Sequence, residues 1–315
     1  MNFYNKLFNS STVKLLNFNR IFIMKKSVIT IGTFDGVHKG HRTILNKTVK
    51  IAKENGLKSI VISFEKPVKR VSGLLTTKKE KLEILSSFCV DEILLFPVNE
   101  KIVSLTAEKF FEDILIKRLN VKHIVVGYDC TFGKDRAGNV AWLKKNVKKY
   151  DVTLTVIKPV KVNGKTVSSS KIRELLQKND IDAVNKMSDR PFGFTGTHVC
   201  GNRIGRTLGF PTINLKVPAD KLLPRGVFAC SLTDKKFKVY YGVLNIGIRP
   251  TVKIKEHALS VEIHLLNFSG EWKEKHPVVY VHKFIRKERK FKTVESLKKS
   301  IQKDVDIAKM FFNIG

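Results

Sequence analysis

The segment VITIGTFDGVHKGHR, from Val28 to Arg42, constrains the first half of this chain more than any other stretch. Val28 to Ile31 is a β-branched apolar run suited to a strand buried on both faces. Gly32 ends the run, and Thr33, Phe34, Asp35 and Gly36 lead a glycine-bearing turn toward Gly40. From His41 onward, Ile44, Leu45, Val49 and Ile51 recur at close to helical spacing. A strand, a glycine turn and a helix start place backbone N–H groups and a positive dipole end where an anion can sit. His38 and His41 flank Gly40 there, so two imidazoles can reach one phosphate chain while glycine lets the backbone approach. A pair of histidines on a surface loop is the plain alternative, and the strand before them and the helix after them weigh against it.

The H-x-G-H spacing resembles that of nucleotidylyltransferases and of class I aminoacyl-tRNA synthetases. The rest of the first half agrees with a nucleotide-binding sheet. Lys58 to Phe64, Glu92 to Phe96, His123 to Gly127 and Val152 to Ile157 read as further strands. Helical patterns separate them: one capped by Thr77 and Glu80 and running to about Phe88, one over Ala107 to Leu119, and one over Trp142 to Lys149. Strands alternating with helices predict a parallel, doubly wound sheet with ligands at the carboxyl ends of its strands. The GYDCTFG segment after the fourth strand brings Asp129 and Gly133 to such an end. In VSSSKIR, Ser168 to Ser170 are natural caps for the helix KIRELLQ, and three hydroxyls with Arg173 one turn in form a second phosphate-binding device. A simple serine cap is the alternative there.

The pattern changes near Pro191. Ile181 to Met187 reads as a last short helix and Asp189 to Pro191 as a linker. Short strands follow, over Gly193 to Val199, Val227 to Thr233, Phe237 to Ile246, Leu259 to Leu266 and Val278 to Ile285, and their spacing predicts an antiparallel barrel. Val294 to Phe312 reads as a closing helix. Within this half, Gly201, Arg206, Gly209 and Pro211 precede Thr212 and Asn214, which lie two apart on an extended segment and so share a face. Their hard oxygens suit Mg²⁺ held between phosphates. Glu262 is a carboxylate in an apolar strand. It is either a partly buried general base with a raised pKa or an ordinary outward-facing residue.

Charge and cysteine usage bound the function classes. The 315 residues carry a formal net charge of +31, yet the lysines are spread along the whole chain rather than gathered in one tract. A dispersed excess reads as a solvated surface and argues against a specific nucleic-acid groove. Cys89, Cys130, Cys200 and Cys230 form no paired spacing, which predicts reduced thiols in a cytoplasmic protein and no zinc site. No apolar run approaches membrane-spanning length. Residues 1–24 are basic and lack acidic residues. They resemble a weak organelle presequence, but a frayed extension is the reading preferred, with Met24 as an alternative start.

Together these segments resemble the bacterial bifunctional riboflavin kinase/FMN adenylyltransferase family, from about Val28 to the C-terminus. The resemblance rests on GTFDGVHKGH, GYDCTFG and VSSSKIR in the first half, and on GRTLGFPTIN, LPRGVFA, NIGIRPT, VEIHLL and FIRKERKF in the second. It implies a Rossmann-like nucleotidyltransferase domain (25–187) followed by a six-stranded antiparallel riboflavin-kinase barrel with a C-terminal helix (191–315). It also implies two reactions, with ATP as co-substrate and FMN and FAD as products. In the barrel, Glu262 would take the riboflavin 5′-hydroxyl proton, with Thr212 and Asn214 positioning Mg²⁺ and Gly201, Arg206, Gly209 and Pro211 binding ATP. In the first domain, His38, His41, Ser169, Ser170 and Arg173 would stabilise adenylyl transfer to FMN, with Gly32, Phe34, Asp35, Gly36, Gly40 and Asp129 around the nucleotide. Arg286 would lie near the flavin.

Departures from the family pattern are local. FEKPV stands where Phe-x-Pro-His-Pro is usual, so one histidine is missing. Ser170 replaces threonine, Cys130 an aromatic residue and Asn267 an aspartate, and Glu271-Trp-Lys-Glu stands where a Leu-Tyr-Gly type segment is expected. Three other readings compete. A kinase with a decayed first domain is opposed by intact His38, His41 and Arg173. A basic nucleic-acid-binding protein predicts salt-sensitive retention without flavin turnover. A tRNA-synthetase-like enzyme lacks room for an anticodon-binding domain.

Overall fold

A computed structural model describes residues 12–15, 25–200, 204–248 and 259–314, and the chain divides into two units, Met1–Ser169 and Ser170–Gly315. The first unit is built on six parallel strands: β1 (Thr12–Leu15), β2 (Ser27–Ile31), β3 (Lys58–Phe64), β4 (Glu92–Phe96), β5 (Val121–Gly127) and β6 (Thr153–Ile157). Their spatial order is β1-β4-β3-β2-β5-β6. Strand alternation explains the two covered faces. In β2, Val28 packs with Ile51 and Ala52 of helix α1 (Lys39–Glu54), whereas Ile29 and Ile31 pack with Phe110, Phe111, Ile114 and Leu115 on the other side. Every residue of β2 is therefore buried, Thr30 included, as in a strand sandwiched between two helical layers.

The helix over Ala107 to Leu119 differs from expectation. One α-helical turn, Ala107–Lys109, passes into a π-helical segment, Phe110–Ile116, closed by the Lys117 amide donating to the Glu112 carbonyl at 2.9 Å. The wider turn lets Phe110, Phe111, Ile114 and Leu115 all be buried against the sheet, which α-helical spacing would splay over a broader arc. The helix expected from Trp142 is α3 (Val140–Asn146), continued as a 3₁₀ turn over Val147–Tyr150. The capping box at Thr77 and Glu80 opens α2 (Lys78–Ser86) as read. Residues 1–24 are not a frayed extension throughout: Thr12–Leu15 forms the parallel edge strand beside β4, where it caps an otherwise open row of backbone donors and acceptors.

The second unit opens with helices α4 (Ser169–Gln177), which starts at the division, and α5 (Ile181–Ser188). Asn185 of α5 ties that helix to the sheet, its amide donating to the Val281 carbonyl at 3.1 Å and its carbonyl accepting from the Phe192 amide at 2.7 Å. Seven antiparallel segments follow: β7 (Phe192–Thr195), β8 (Thr197–Val199), β9 (Thr212–Lys216), β10 (Gly226–Thr233), β11 (Val239–Ile248), β12 (Leu259–Leu265) and β13 (Val278–Arg286). Their order is β7-β13-β10-β11-β12-β9-β8. The single strand expected over Gly193 to Val199 is thus two segments, joined through Gly196. They hold opposite ends of the strand order, so one bent segment supplies both edges of a curled sheet made of six chain segments. Gly196 is required at this corner, because a Cβ there would stand 2.9 Å from the Leu215 side chain.

Register separates the barrel's faces. Ile213, Ile263, Leu244 and Phe228 lie opposite one another across four strands, and none is more than 7% exposed. They mark the interior. One residue along, Asn214, Glu262, Asn245 and Val227 form the next row, which faces the other way. Helix α6 (Val294–Phe312) covers part of that outer face, packing Val305 and Ala308 against Val227, Ala229 and Val243.

Candidate active sites

The first candidate site lies where the strand order of the parallel sheet reverses, between β2 and β5. Ligands of doubly wound sheets bind at this switch point. The Gly32 amide makes the last bond across from β2, to the Ile62 carbonyl at 3.1 Å, and beyond it the chain peels away from β3. Phe34, Gly36 and Val37 then adopt left-handed backbone (φ 51°, 82° and 37°). For a β-branched residue such as Val37 this is a strained conformation, of the kind that persists only when its surroundings over-determine it.

Those surroundings can be named. The buried Asp35 carboxylate accepts from the Leu75 and Thr76 amides, each at 3.0 Å, and the Gly36 amide donates to the Thr76 hydroxyl at 3.1 Å. Ser169 donates its hydroxyl to the Asp35 carbonyl at 2.8 Å. Asp35 thus faces the 75–76 loop and holds the turn in shape. The turn delivers His38 to the N-cap of α1, where its Nδ1 accepts from the His41 amide at 3.3 Å. An accepting Nδ1 leaves the neutral ring's hydrogen on Nε2, so His38 presents a donor there. The His38 and His41 rings stack with centroids 3.6 Å apart and planes 15° apart, and Phe34 meets His41 edge-on at 5.2 Å. Gly32 and Gly40 make this packing possible: a Cβ at Gly32 would stand 3.0 Å from the Phe34 ring, and one at Gly40 would stand 3.3 Å from the His38 ring.

Asp129 is exposed at the end of β5, the other side of the switch point, with an oxygen 3.0 Å from where a Cβ on Gly127 would be. Cys130 lies beside it, its thiol 3.9 Å from the Ile31 carbonyl at the end of β2. Burial, with the Asp129 charge adding to it, pushes that thiol up to about 12, so it stays a protonated packing group. Ser169 and Ser170 occupy the first turn of α4 rather than preceding it. Arg173 is buried one turn further on, and Ser170 is exposed. Sequence reasoning missed Lys81, a fully buried lysine of α2 whose ammonium donates to the Thr33 carbonyl at 3.2 Å and to the Phe64 carbonyl. Nothing in KKEKLEILS separates it from its exposed neighbours except its helical phase with Leu85.

The second candidate site is a row on the barrel's outer face. Glu262 of β12 lies directly opposite Asn214 of β9 on one side and Asn245 of β11 on the other. Glu262 is half-buried, and its Oε1 accepts from the Ser260 hydroxyl at 2.8 Å. Asn214 is 7% exposed. Thr212 is half-buried and pairs with His264, whose Nδ1 lies 2.9 Å from the Pro211 carbonyl and whose ring meets Phe210 edge-on. His264 thereby holds the Pro-Thr-Ile-Asn segment against the next strand. Burial holds this imidazole below the usual histidine range. Upstream, Gly205 is the tightest position: a Cβ there would stand 2.4 Å from the Phe210 carbonyl oxygen. Arg206 is exposed, and Gly209 turns with φ 86°. Gly201 lies outside the described residues.

Arg286, the residue expected near the flavin, is paired with the closing helix. Its guanidinium makes a bidentate pair with Asp304 of α6, Nε to Oδ1 at 2.8 Å and Nη2 to Oδ2 at 2.7 Å. It anchors the closing helix to β13. In the segment that departs from the family pattern, Asn267 takes the left-handed conformation that asparagine tolerates (φ 51°), and Trp272 packs edge-on against Tyr240 at 5.0 Å. These residues close the β12–β13 connection.

A parallel nucleotidyltransferase-type sheet followed by a curled antiparallel half-barrel and a terminal helix defines a two-module transferase fold. Comparison with known proteins makes the assignment specific. The FAD synthetase family model matches residues 22–171 and the riboflavin kinase model matches residues 188–312. A bifunctional riboflavin kinase/FMN adenylyltransferase of Buchnera aphidicola subsp. Schizaphis graminum is 37% identical over 300 residues, covering 93% of this chain and 96% of that protein. The Escherichia coli (strain K12) protein of the same description is 33% identical over 293 residues, covering 91% and 93%. The chain belongs to the bifunctional riboflavin kinase/FMN adenylyltransferase family. A crystal structure described as a macrolide-efflux protein from Streptococcus pneumoniae superposes with a TM-score of 0.84 at 26% identity, covering 95% of this chain and 98% of that one. No helix among the described residues is long and apolar enough to cross a membrane.

Proposed function

We propose that the barrel phosphorylates riboflavin to FMN and that the parallel-sheet unit adenylylates FMN to FAD, each with its own ATP. The family to which the chain belongs supports both reactions. The observation that carries the reading is that each unit holds its own convergent set of polar groups, one at a switch point and one on a strand row.

In the kinase step, Glu262 accepts the proton of the riboflavin 5′-hydroxyl as that oxygen attacks the γ-phosphate of ATP, and ADP leaves. Ser260 fixes the carboxylate's rotamer through its 2.8 Å hydrogen bond. The hard oxygens of Thr212 and Asn214, beside a carboxylate, fit Mg²⁺, and these two residues would hold it; bound there it neutralises charge on the transferred phosphoryl group. Gly201, Arg206, Gly209 and Pro211 bind the nucleotide of this module.

In the adenylyl-transfer step, an FMN phosphate oxygen attacks the α-phosphate of ATP and pyrophosphate leaves. The attacking phosphate is already ionised at neutral pH, so the protein's work is positioning and charge stabilisation. His38 donates through Nε2 and His41 stacks beneath it. Gly32, Phe34, Asp35, Gly36 and Gly40 shape the turn, and Asp129 borders the nucleotide. Ser169, Ser170 and Arg173 are assigned to the same triphosphate on the family resemblance. The catalytic modules are taken as residues 25–187 and 191–315, and the protein as cytoplasmic.

Incubating the purified chain with riboflavin, ATP and Mg²⁺ and resolving the flavins by chromatography tests the reading. FMN and FAD are both expected. FMN alone would select the kinase-only reading, and retention of RNA without either product would select nucleic-acid binding.

A further inference from the structure

Past the bond between Gly32 and Ile62, the carbonyls of Thr33 and Phe64 are no longer bridged by backbone, since the chain must leave β3 to make the strained turn. Lys81 takes over that bridge. It reaches out of α2 into a site where it is 2% exposed, donating to Thr33 at 3.2 Å, to Phe64, and more distantly to Glu65 at 3.5 Å. Thr33 also accepts from the Ser63 hydroxyl at 3.2 Å, so two donors fix the same carbonyl. The residue that follows Thr33 is the first left-handed one, Phe34, which carries His41 on its ring edge.

We propose that Lys81 is a positioning residue of adenylyl transfer: by pinning the diverging ends of β2 and β3 it sets the His38/His41 pair, without touching substrate. This rests on the reading of the first unit as the FMN-adenylylating one. The charged groups facing the ammonium are Asp35 from the turn and Glu65 from the end of β3, the latter paired with Lys78 of α2. Burial holds the ammonium down to about 8 against the pull of those two carboxylates. Adenylyl transfer therefore has an alkaline limb that belongs to the pin: as Lys81 loses its proton the bridge weakens and turnover falls.

The test measures both activities in the full chain across pH 6.5–9.5. With Lys81→Met, FAD formation from supplied FMN is expected to fall about 30-fold or more in kcat with KM for ATP within about threefold, as loss of positioning predicts. FMN formation from riboflavin should be unchanged. With Lys81→Arg, whose charge does not titrate in this range, neutral-pH activity should be partly retained and the alkaline limb should vanish. Wild-type kcat in Lys81→Met would overturn the inference, as would a limb shared unchanged by wild type and Lys81→Arg. The second comparison decides the matter if Lys81→Met does not fold. Failure of the wild-type chain to make FAD would instead overturn the functional reading.

Discussion

The two candidate sites are built by opposite means. At the switch point of the parallel sheet, His38 and His41 are set by a turn with three left-handed residues, braced by its own Asp35 on the 75–76 loop and from outside by Thr76, Ser169 and Lys81. On the barrel, Glu262 is set by ladder register: regular strands bring Asn214 and Asn245 to either side, and Ser260 orients the carboxylate. The first arrangement stores strain and depends on many distant contacts. The second is unstrained and depends on pairing. The lesson is that the first site should be sensitive to substitutions that never meet the nucleotide, whereas the second should be sensitive chiefly to changes on its own strands.

The sharpest way to break this comparison is to remove one group from each site. His41→Ala should lower FAD formation from FMN by about 10²–10⁴-fold and leave FMN formation from riboflavin intact. Glu262→Gln should do the reverse, with steady-state kinetics of the two half-reactions as the readout. A variant that lost both activities would show that the sites are not separate.

A smaller effect tests whether the nucleotide segment of the barrel depends on close backbone approach. Gly205→Ala places a methyl group 2.4 Å from the Phe210 carbonyl, so the segment before Thr212 must shift. Kinase turnover should fall about 10–100-fold, the scale on which misplaced binding groups act. Adenylyl transfer should not change, and circular dichroism should report a folded chain.

Next comes the helix clamp. Asp304→Asn removes the counter-charge of Arg286, whose side chain is 22% exposed while that of Asp304 is 5% exposed. Breaking a buried pair strands a charge, and with discount for the exposed side the cost should be about 2 kcal/mol of barrel stability by urea denaturation. Unchanged stability would mean that α6 is held by its apolar face alone.

The mildest effect is on pH dependence. Burial holds His264 and His282 below the usual histidine range. The unfolded chain therefore takes up protons first as pH falls, so barrel stability is full above the ordinary histidine value of about 6.5 and is lost progressively below it. His282 accepts or donates at Ser231, 2.8 Å away, among Phe311 and Phe312. Replacing it with glutamine should flatten the acid-side slope of melting temperature against pH.

Much of this architecture is written locally, and what is not local could not be read. β3 and β4 span the stretches their apolar runs announce, at residues 60–62 and 93–96, because a strand buried on both faces shows as a continuous apolar run. The Thr77 capping box is likewise a four-residue signal. The π-helical passage after Lys109 was hidden, since the same aromatic and aliphatic residues satisfy an ordinary helical pattern and only the sheet they pack on selects the wider turn. Glu262 could not be placed on a face until its strand was paired with Asn214 and Asn245, at opposite neighbours in the barrel. Lys81 stayed invisible for another reason: on sequence it is one of several lysines in a charged helix, and its burial follows from where the strand ends lie. Arg286 shows the converse, a conspicuous arginine whose guanidinium is taken by the closing helix.

Trans-complementation tests the central claim most directly. His41→Ala and Glu262→Gln, each unable to convert riboflavin to FAD, are mixed with riboflavin, ATP and Mg²⁺ and the flavins followed over time. If each unit is a complete and independent site, FMN released by the first variant is adenylylated by the second and FAD appears after a lag. A mixture that accumulates FMN without FAD, although the second variant converts added FMN alone, would show that released FMN is not a shared intermediate; a second variant inert toward added FMN would contradict the two-site account itself.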